Sequence, residues 1–270
     1  MHLAQELVDY ILDFLHNDPK TLIKASLVSR AWVCRTRAHL CKSLKITWPK
    51  FLSSNSSYLT PLCGYVKTLH FTWPEDLIDP SPVFDCFEQS EPHTLVIRSC
   101  ELRNIDEQTI RRCFKRFPCE SITTLELREI TPTHRTLLIL LSLFPNVDDL
   151  AISVNGCYED GPDAGPFGDG DNETTQPSSP PSFRGRFKFF DPPGHGFSGG
   201  NRENLLRTIA TLPHQFEIVS LDIKTQSWRE ISTFLRSCLG TVRKLFVGLP
   251  YRKSQPCILS RVPHAQYTNA

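Results

Sequence analysis

The chain has 270 residues, 40% of them hydrophobic and 22% charged, and carries a net charge of +1 with its histidines neutral. That balance fits a globular protein of one large domain or two small ones and leaves no global field to draw in nucleic acid or an anionic membrane. No stretch approaches the roughly 20 apolar residues of a membrane-crossing helix. Glu6, Asp9 and Asp13 interrupt the apolar residues where a secretory signal would lie, so the expected setting is the reducing interior of the cell, cytoplasm or nucleus. The ten cysteines contain no C-x-x-C pair. They read as buried, reduced thiols, and neither a metal nor a cofactor is expected.

Leu7, Val8, Ile11, Leu12 and Leu15 recur at helical spacing and form one stripe, with Gln5, Glu6, Asp9, Asp13 and His16 on much of the other side. Asn17-Asp18-Pro19 ends that helix and starts the next, Asp18 as N-cap and Pro19 in the first turn. The second helix is expected to run from Pro19 to Val33. Leu22, Ala25, Val28, Ser29 and Trp32 lie on one side of it, Ile23 and Leu27 on the other. A helix apolar on two faces lies between two things. One reading is a helical hairpin packed on the domain that follows; the other is a surface for a second protein.

The order Leu3-Ala4-Gln5-Glu6-Leu7, Ile11-Leu12, Leu15, Leu22 and Leu27-Val28-Ser29-Arg30-Ala31-Trp32 resembles an F-box, whose pattern is L-P-x-E-L-x-x-x-I-L-x-x-L followed by L-x-x-x-x-L-V-S-R-x-W. Ala4 stands where that family carries proline. The resemblance covers roughly the first 40 residues and implies a three-helix module that docks on a Skp-type adaptor and, through it, a cullin. It implies Leu3, Ala4, Leu7, Ile11, Leu12, Leu15, Leu22, Val28 and Trp32 as the adaptor-binding residues.

Further along, VKTLHF (66–71), ITTLEL (122–127), VDDLAI (147–152), IVSLDI (218–223) and VRKLFV (242–247) share one pattern, with weaker copies at 43–46 and 94–97. Their key leucines fall at 44, 69, 95, 125, 150, 221 and 245, mostly 24 to 30 residues apart. That is the period of leucine-rich repeats, with Cys100 and Asn155 where the buried ladder residue sits. Between the strands, 106–117, 135–144, 204–212 and 228–239 read as helices, each stopped by proline or glycine. The competing reading is an ordinary α/β domain with unrelated strands. The expected architecture is α/β: the helical module at 1–42, an irregular leucine-rich-repeat-like solenoid at 43–154 and 201–249, and an irregular tail at 250–270. That tail carries no repeat and no convincing terminal cap.

Residues 155–200 hold ten of the thirteen glycines and are expected to be a mostly disordered insertion, with a possible strand at 184–190. Its arginines among aromatics raise the alternative of single-stranded RNA, against which stands the scarcity of basic residues elsewhere. Gly196-Phe197-Ser198-Gly199-Gly200 satisfies G-x-S-x-G, but Asp191-Pro192-Pro193-Gly194-His195 before it cannot be the strand that a nucleophile elbow requires. The sequons at Asn55 and Asn172 matter only in a secreted chain.

The expected function is therefore non-catalytic. The chain reads as a substrate receptor of an SCF-type ubiquitin ligase, intracellular, binding an unidentified protein target, with no nucleic acid and no membrane. The alternative is a repeat scaffold whose first helices only cap the solenoid. The residues flanking the key leucines on the outward side of the strands are the candidate target-binding set: Lys45, His70, Arg98, Glu126, Arg128, Asp149, Asp222, Lys224 and Lys244. Their mixed signs point to a patterned polar partner.

Overall fold

In the computed structural model the described residues are 4–47, 60–73, 80–155, 157–158, 183–190, 205–206, 208–210, 214–222, 228–238, 240–248 and 258–260. Three helices come first: α1 (Gln5–Phe14), α2 (Pro19–Ser26) and α3 (Arg30–Leu40). Asp18 caps α2, its carboxylate accepting the Thr21 amide at 3.1 Å and the Thr21 hydroxyl at 2.6 Å. The single helix expected from Pro19 to Val33 is two helices. Ser29 is extended, and its hydroxyl accepts the Ala31 N–H at 3.3 Å to cap α3. A serine that satisfies a free amide offers the backbone an alternative to continuing the helix, and here it overrides the apolar periodicity.

The three helices close a small core of Val8, Leu12, Leu22 and Ala25, with Leu15, Trp32 and Leu40 packed around it. Asp13 ties α1 to α3, accepting from Arg35 Nε at 2.6 Å and contacting His39 Nε2 at 2.8 Å. The chain then enters the first strand almost at once. The Lys42 carbonyl accepts both the Lys67 and the Thr68 amides at 2.9 Å, so α3 is followed by fixed backbone rather than a free linker.

The strands are β1 (Ser43–Thr47), β2 (Thr68–Thr72), β3 (Thr94–Arg98), β4 (Thr124–Ile130), β5 (Asp149–Val154), β6 (Phe183–Phe190), β7 (His214–Asp222), β8 (Lys244–Gly248) and β9 (Ile258–Ser260). They lie side by side in chain order in one sheet. The first eight are parallel, and β9 pairs antiparallel with β8. The expected irregular tail thus contains a strand, and its other residues lie outside the described ones. Parallel neighbours require a crossover after each strand. Helices α4 (Thr60–Cys63), α5 (Ser81–Asp85), α6 (Glu107–Cys113), α7 (His134–Ser142) and α8 (Trp228–Cys238) fall in those crossovers. The fold is mixed α/β.

The ladder repeats the same joint: His93 O accepts the Thr123 and Thr124 amides at 2.9 and 3.0 Å, and Thr123 O accepts those of Asp148 and Asp149 at the same distances. Inward, Leu44, Leu69, Leu95, Leu125, Leu150, Phe187, Val219 and Leu245 form one row. They pack against the crossover helices in a core that includes Phe84, Ile110, Leu140 and Phe234. Two details differ from the sequence reading. Val219, not Leu221, occupies the key row in β7. A two-residue slip leaves every side chain on its face, so alternation alone does not detect it. In β6 the register shifts at Gly185, where φ is +81° and a Cβ would stand 2.5 Å from the Asp148 carbonyl oxygen.

Candidate functional surfaces

The first surface belongs to the helical module. Leu7, Tyr10, Ile11 and Phe14 follow i, i+3, i+4, i+7 on α1, beside the stripe that buries Val8 and Leu12. Tyr10 is 74% and Phe14 80% exposed; Leu27 and Val28, at the break before α3, are 82% and 68% exposed. Among the residues expected to bind a partner, Ala4, Leu7, Ile11 and Val28 are exposed and Leu15 and Trp32 half-buried. Leu12 and Leu22 are only 1% exposed and belong to the module's own core, which corrects their assignment to the docking face. Leu3 lies outside the described residues. Tyr10, Phe14, Ile23 and Leu27 were missed. The helical spacing signals them, but it does not say which of two adjoining apolar stripes is covered.

The second surface is the outward side of the sheet. Parallel pairing lines its residues up in rows across the strands. Lys45, His70, Val96, Glu126, Ala151, Lys188, Ser220 and Phe246 form the middle row. Ser43, Thr68, Thr94, Thr124, Asp149, Arg186, Ile218 and Lys244 precede it, and Arg98 pairs with Arg128 in the row beyond. Seven of the nine candidate target-binding residues, Lys45, His70, Arg98, Glu126, Arg128, Asp149 and Lys244, are thereby brought onto one face. Asp222 ends β7, with its side chain outside the described set, and Lys224 lies outside it altogether. Missed were Arg186, Lys188, Val96 and Ser153, three of them because β6 and the β5 exit match no leucine motif.

The charges on this face are not evenly mixed. Glu126 is taken by Arg128, whose Nε donates at 2.8 Å, and Asp149 by Arg186, which binds both carboxylate oxygens at 2.8 and 3.0 Å. Lys45, Arg98, Lys188 and Lys244 have no carboxylate partner among the described residues. The Lys188 ammonium and the Arg128 guanidinium instead lie over the Phe190 ring, at 5.5 and 5.8 Å from its centroid. Burial, then the neighbouring Arg98 and Lys45 charges, hold the His70 imidazole below its ordinary pKa, so it is neutral at pH 7. His70 Nδ1, Arg98 Nε and Ser153 Oγ are buried with no hydrogen-bond partner.

Comparison with protein families and with curated proteins finds no match to this chain. The surfaces must be read from their own chemistry. Among the described residues no three His, Cys, Asp or Glu stand together in a way that would hold a metal ion, and no helix is long and apolar enough to cross a membrane. None of the nine described cysteines forms a disulfide with another described residue. Cys63, Cys100, Cys113, Cys157 and Cys238 are buried, but Cys41, Cys86 and Cys119 are half-buried and Cys34 is exposed, against the expectation of a uniformly buried set. Burial pushes the Cys63 and Cys119 thiols up to about 12, which keeps them protonated and unreactive. The G-x-S-x-G segment at 196–200 and both sequons lie outside the described residues, as does most of the 155–200 insertion.

Proposed function

We propose that the chain is a substrate receptor of a cullin-based ubiquitin ligase. Its helical module is an F-box that docks on a Skp-type adaptor, and its sheet is an irregular leucine-rich-repeat-like solenoid that holds a protein target on the outward face. The supporting observation is the double stripe on α1. One stripe closes the module's core while Leu7, Tyr10, Ile11 and Phe14 stay exposed beside it. An apolar patch of that kind marks a binding surface. The solenoid reading draws on the sequential order of the parallel strands and on the shared leucine row, since each strand-crossover unit buries its apolar side only against the next.

In this reading the chain supplies proximity rather than chemistry. It raises the effective concentration of target lysines near a charged enzyme carried elsewhere in the complex. The short passage from α3 into β1, with Lys42 bonded to the second strand, transmits the adaptor's position to the target.

Binding of the purified chain to a Skp-type adaptor is the test, with Ile11→Asp and Phe14→Asp beside wild type. Both positions are exposed, so the fold should survive. Each change places a charge in an interface that buries an apolar side chain, and each should weaken binding by roughly 30-fold or more. Absence of binding by the wild-type chain, or binding that ignores both substitutions, would leave the repeat scaffold as the better reading.

A further inference from the structure

The outward face of the sheet carries an unspent electrostatic and hydrogen-bonding potential that the fold does not use. Three buried polar atoms without partners stand on it: His70 Nδ1 on β2, Arg98 Nε on β3 and Ser153 Oγ on β5. Ser153 itself is 1% exposed and falls, by strand alternation, on the same side as Ala151. Buried polar groups are nearly always satisfied, and each one that is not carries a desolvation cost. His70 and Arg98 are only part-buried, so the rest of each side chain is within a ligand's reach, whereas Ser153 is closed off.

The charges give the ligand its sign. Glu126 and Asp149 are already neutralised by Arg128 and Arg186, which leaves Lys45, Arg98, Lys188 and Lys244 without a carboxylate partner among the described residues. These cations are spread over β1, β3, β6 and β8 rather than gathered at one point. With strands about 4.8 Å apart, the spread spans some tens of ångströms. A single compact anion would meet only one of them. An extended polypeptide with repeated carboxylates would meet several. Val96, 1% exposed, gives a dry floor between His70 and Glu126, and the line of Thr68, Thr94 and Thr124 offers hydroxyls beside it.

We propose that this face binds an extended acidic segment of a protein partner. One carboxylate is received by Arg98 beside His70, and further carboxylates lie near Lys45 and Lys188. This inference rests on the reading of the outward face as the target-holding one, and it names the chemistry of the target.

The probe is a fluorescent peptide of alternating glutamate and threonine, titrated with the full chain by anisotropy; glutamine-threonine and lysine-threonine peptides serve as controls. Binding of the glutamate peptide alone, weakened as salt rises, is expected. Arg98→Gln should lose about tenfold or more, because a charge-assisted hydrogen bond in a part-buried site is lost. Lys45→Gln, at an exposed position that cannot unfold the sheet, should lose severalfold. Equal binding of the glutamate and glutamine peptides, no binding of either, or indifference to both Arg98→Gln and Lys45→Gln would overturn the proposal. So would capture by phosphatidylserine vesicles that the glutamate peptide does not displace. Adaptor binding is measured on the same preparations. Its loss with peptide binding intact would count against the receptor reading alone, and the reverse result against the acidic-segment reading alone.

Discussion

Leu125 and Leu27 are chemically identical, yet the first is fully buried in the sheet and the second is 82% exposed beside α2. The contrast runs through the two regions that hold them. Between β1 and β8 each strand lays its inward residues against those of the next, and the crossover helices seal them with rings such as Phe84, Phe114 and Phe144, whose centroids lie 4.4 and 5.4 Å apart in turn. The module of α1 to α3 buries only four apolar side chains outright. A unit below about 40 residues rarely closes a self-sufficient core. The strands have neighbours of their own chain to supply what they lack; among the described residues the helices have none on α1's outer stripe.

The comparison breaks most sharply at Leu125. Truncation to Ala removes a side chain from the middle of an eight-strand row, where the sheet cannot collapse around the gap. The expected loss is about 3–5 kcal/mol, read from urea unfolding of the full chain. On the solenoid reading, in which each unit leans on its neighbours, the loss should appear in the protection of β3 and β5 amides as well as β4. Leu12→Ala strikes the corresponding position in the small core and should cost about 2–3 kcal/mol. Its effect should stay local: hydrogen exchange should quicken across 5–40 while amides of β3 to β5 hold their protection. If Leu12→Ala loosened the sheet equally, the two regions would be one cooperative unit and the contrast between them would fail.

The parts legible in the sequence are those governed by a period. Leu-x-apolar spacing placed β1 to β5 and β8 because a strand buried on one face must alternate, and Pro145 and Gly240 stand just past the ends of α7 and α8, whereas α6 stops at Cys113, short of the expected 117. Asp18-Pro19 announced α2 because a cap and a helix-compatible proline are local chemistry. What escaped had no local signal. The β7 register slipped by two because Val219 and Leu221 are equally apolar and on the same face. The break at Ser29 was hidden by apolar residues on both sides of it. The candidate surfaces were legible only in part. Alternation put Lys45, His70, Glu126 and Arg128 outward and set Arg128 two residues from Glu126 on one face of β4, but it could not say that Arg186 consumes Asp149, since that partner lies in β6. On α1, periodicity gave a single stripe and had no means to say that Val8 and Leu12 in it are covered while Leu7 and Ile11 are exposed.

The smallest expected effect separates the module's polar clasp from its core. Asp13 joins α1 to α3 through Arg35 and His39, and these hydrogen bonds, the Arg35 one foremost, hold its carboxyl down from 3.8 to about 2. A carboxylate whose pKa is depressed on folding contributes stability that is present above its unfolded value and lost as pH falls through its folded one. The contribution should therefore be constant from pH 7 down to about 4 and vanish between about 4 and 2. The clasp is solvent-exposed, and pairs of that kind are screened, so Asp13→Asn should loosen α1 less than Leu12→Ala does and less again in high salt. Exchange of α1 amides in wild type and Asp13→Asn, followed down in pH, should differ near neutrality and converge near pH 2. A difference that persisted at pH 2 would mean that Asp13 acts through packing, and the clasp would then belong to the core it was set against.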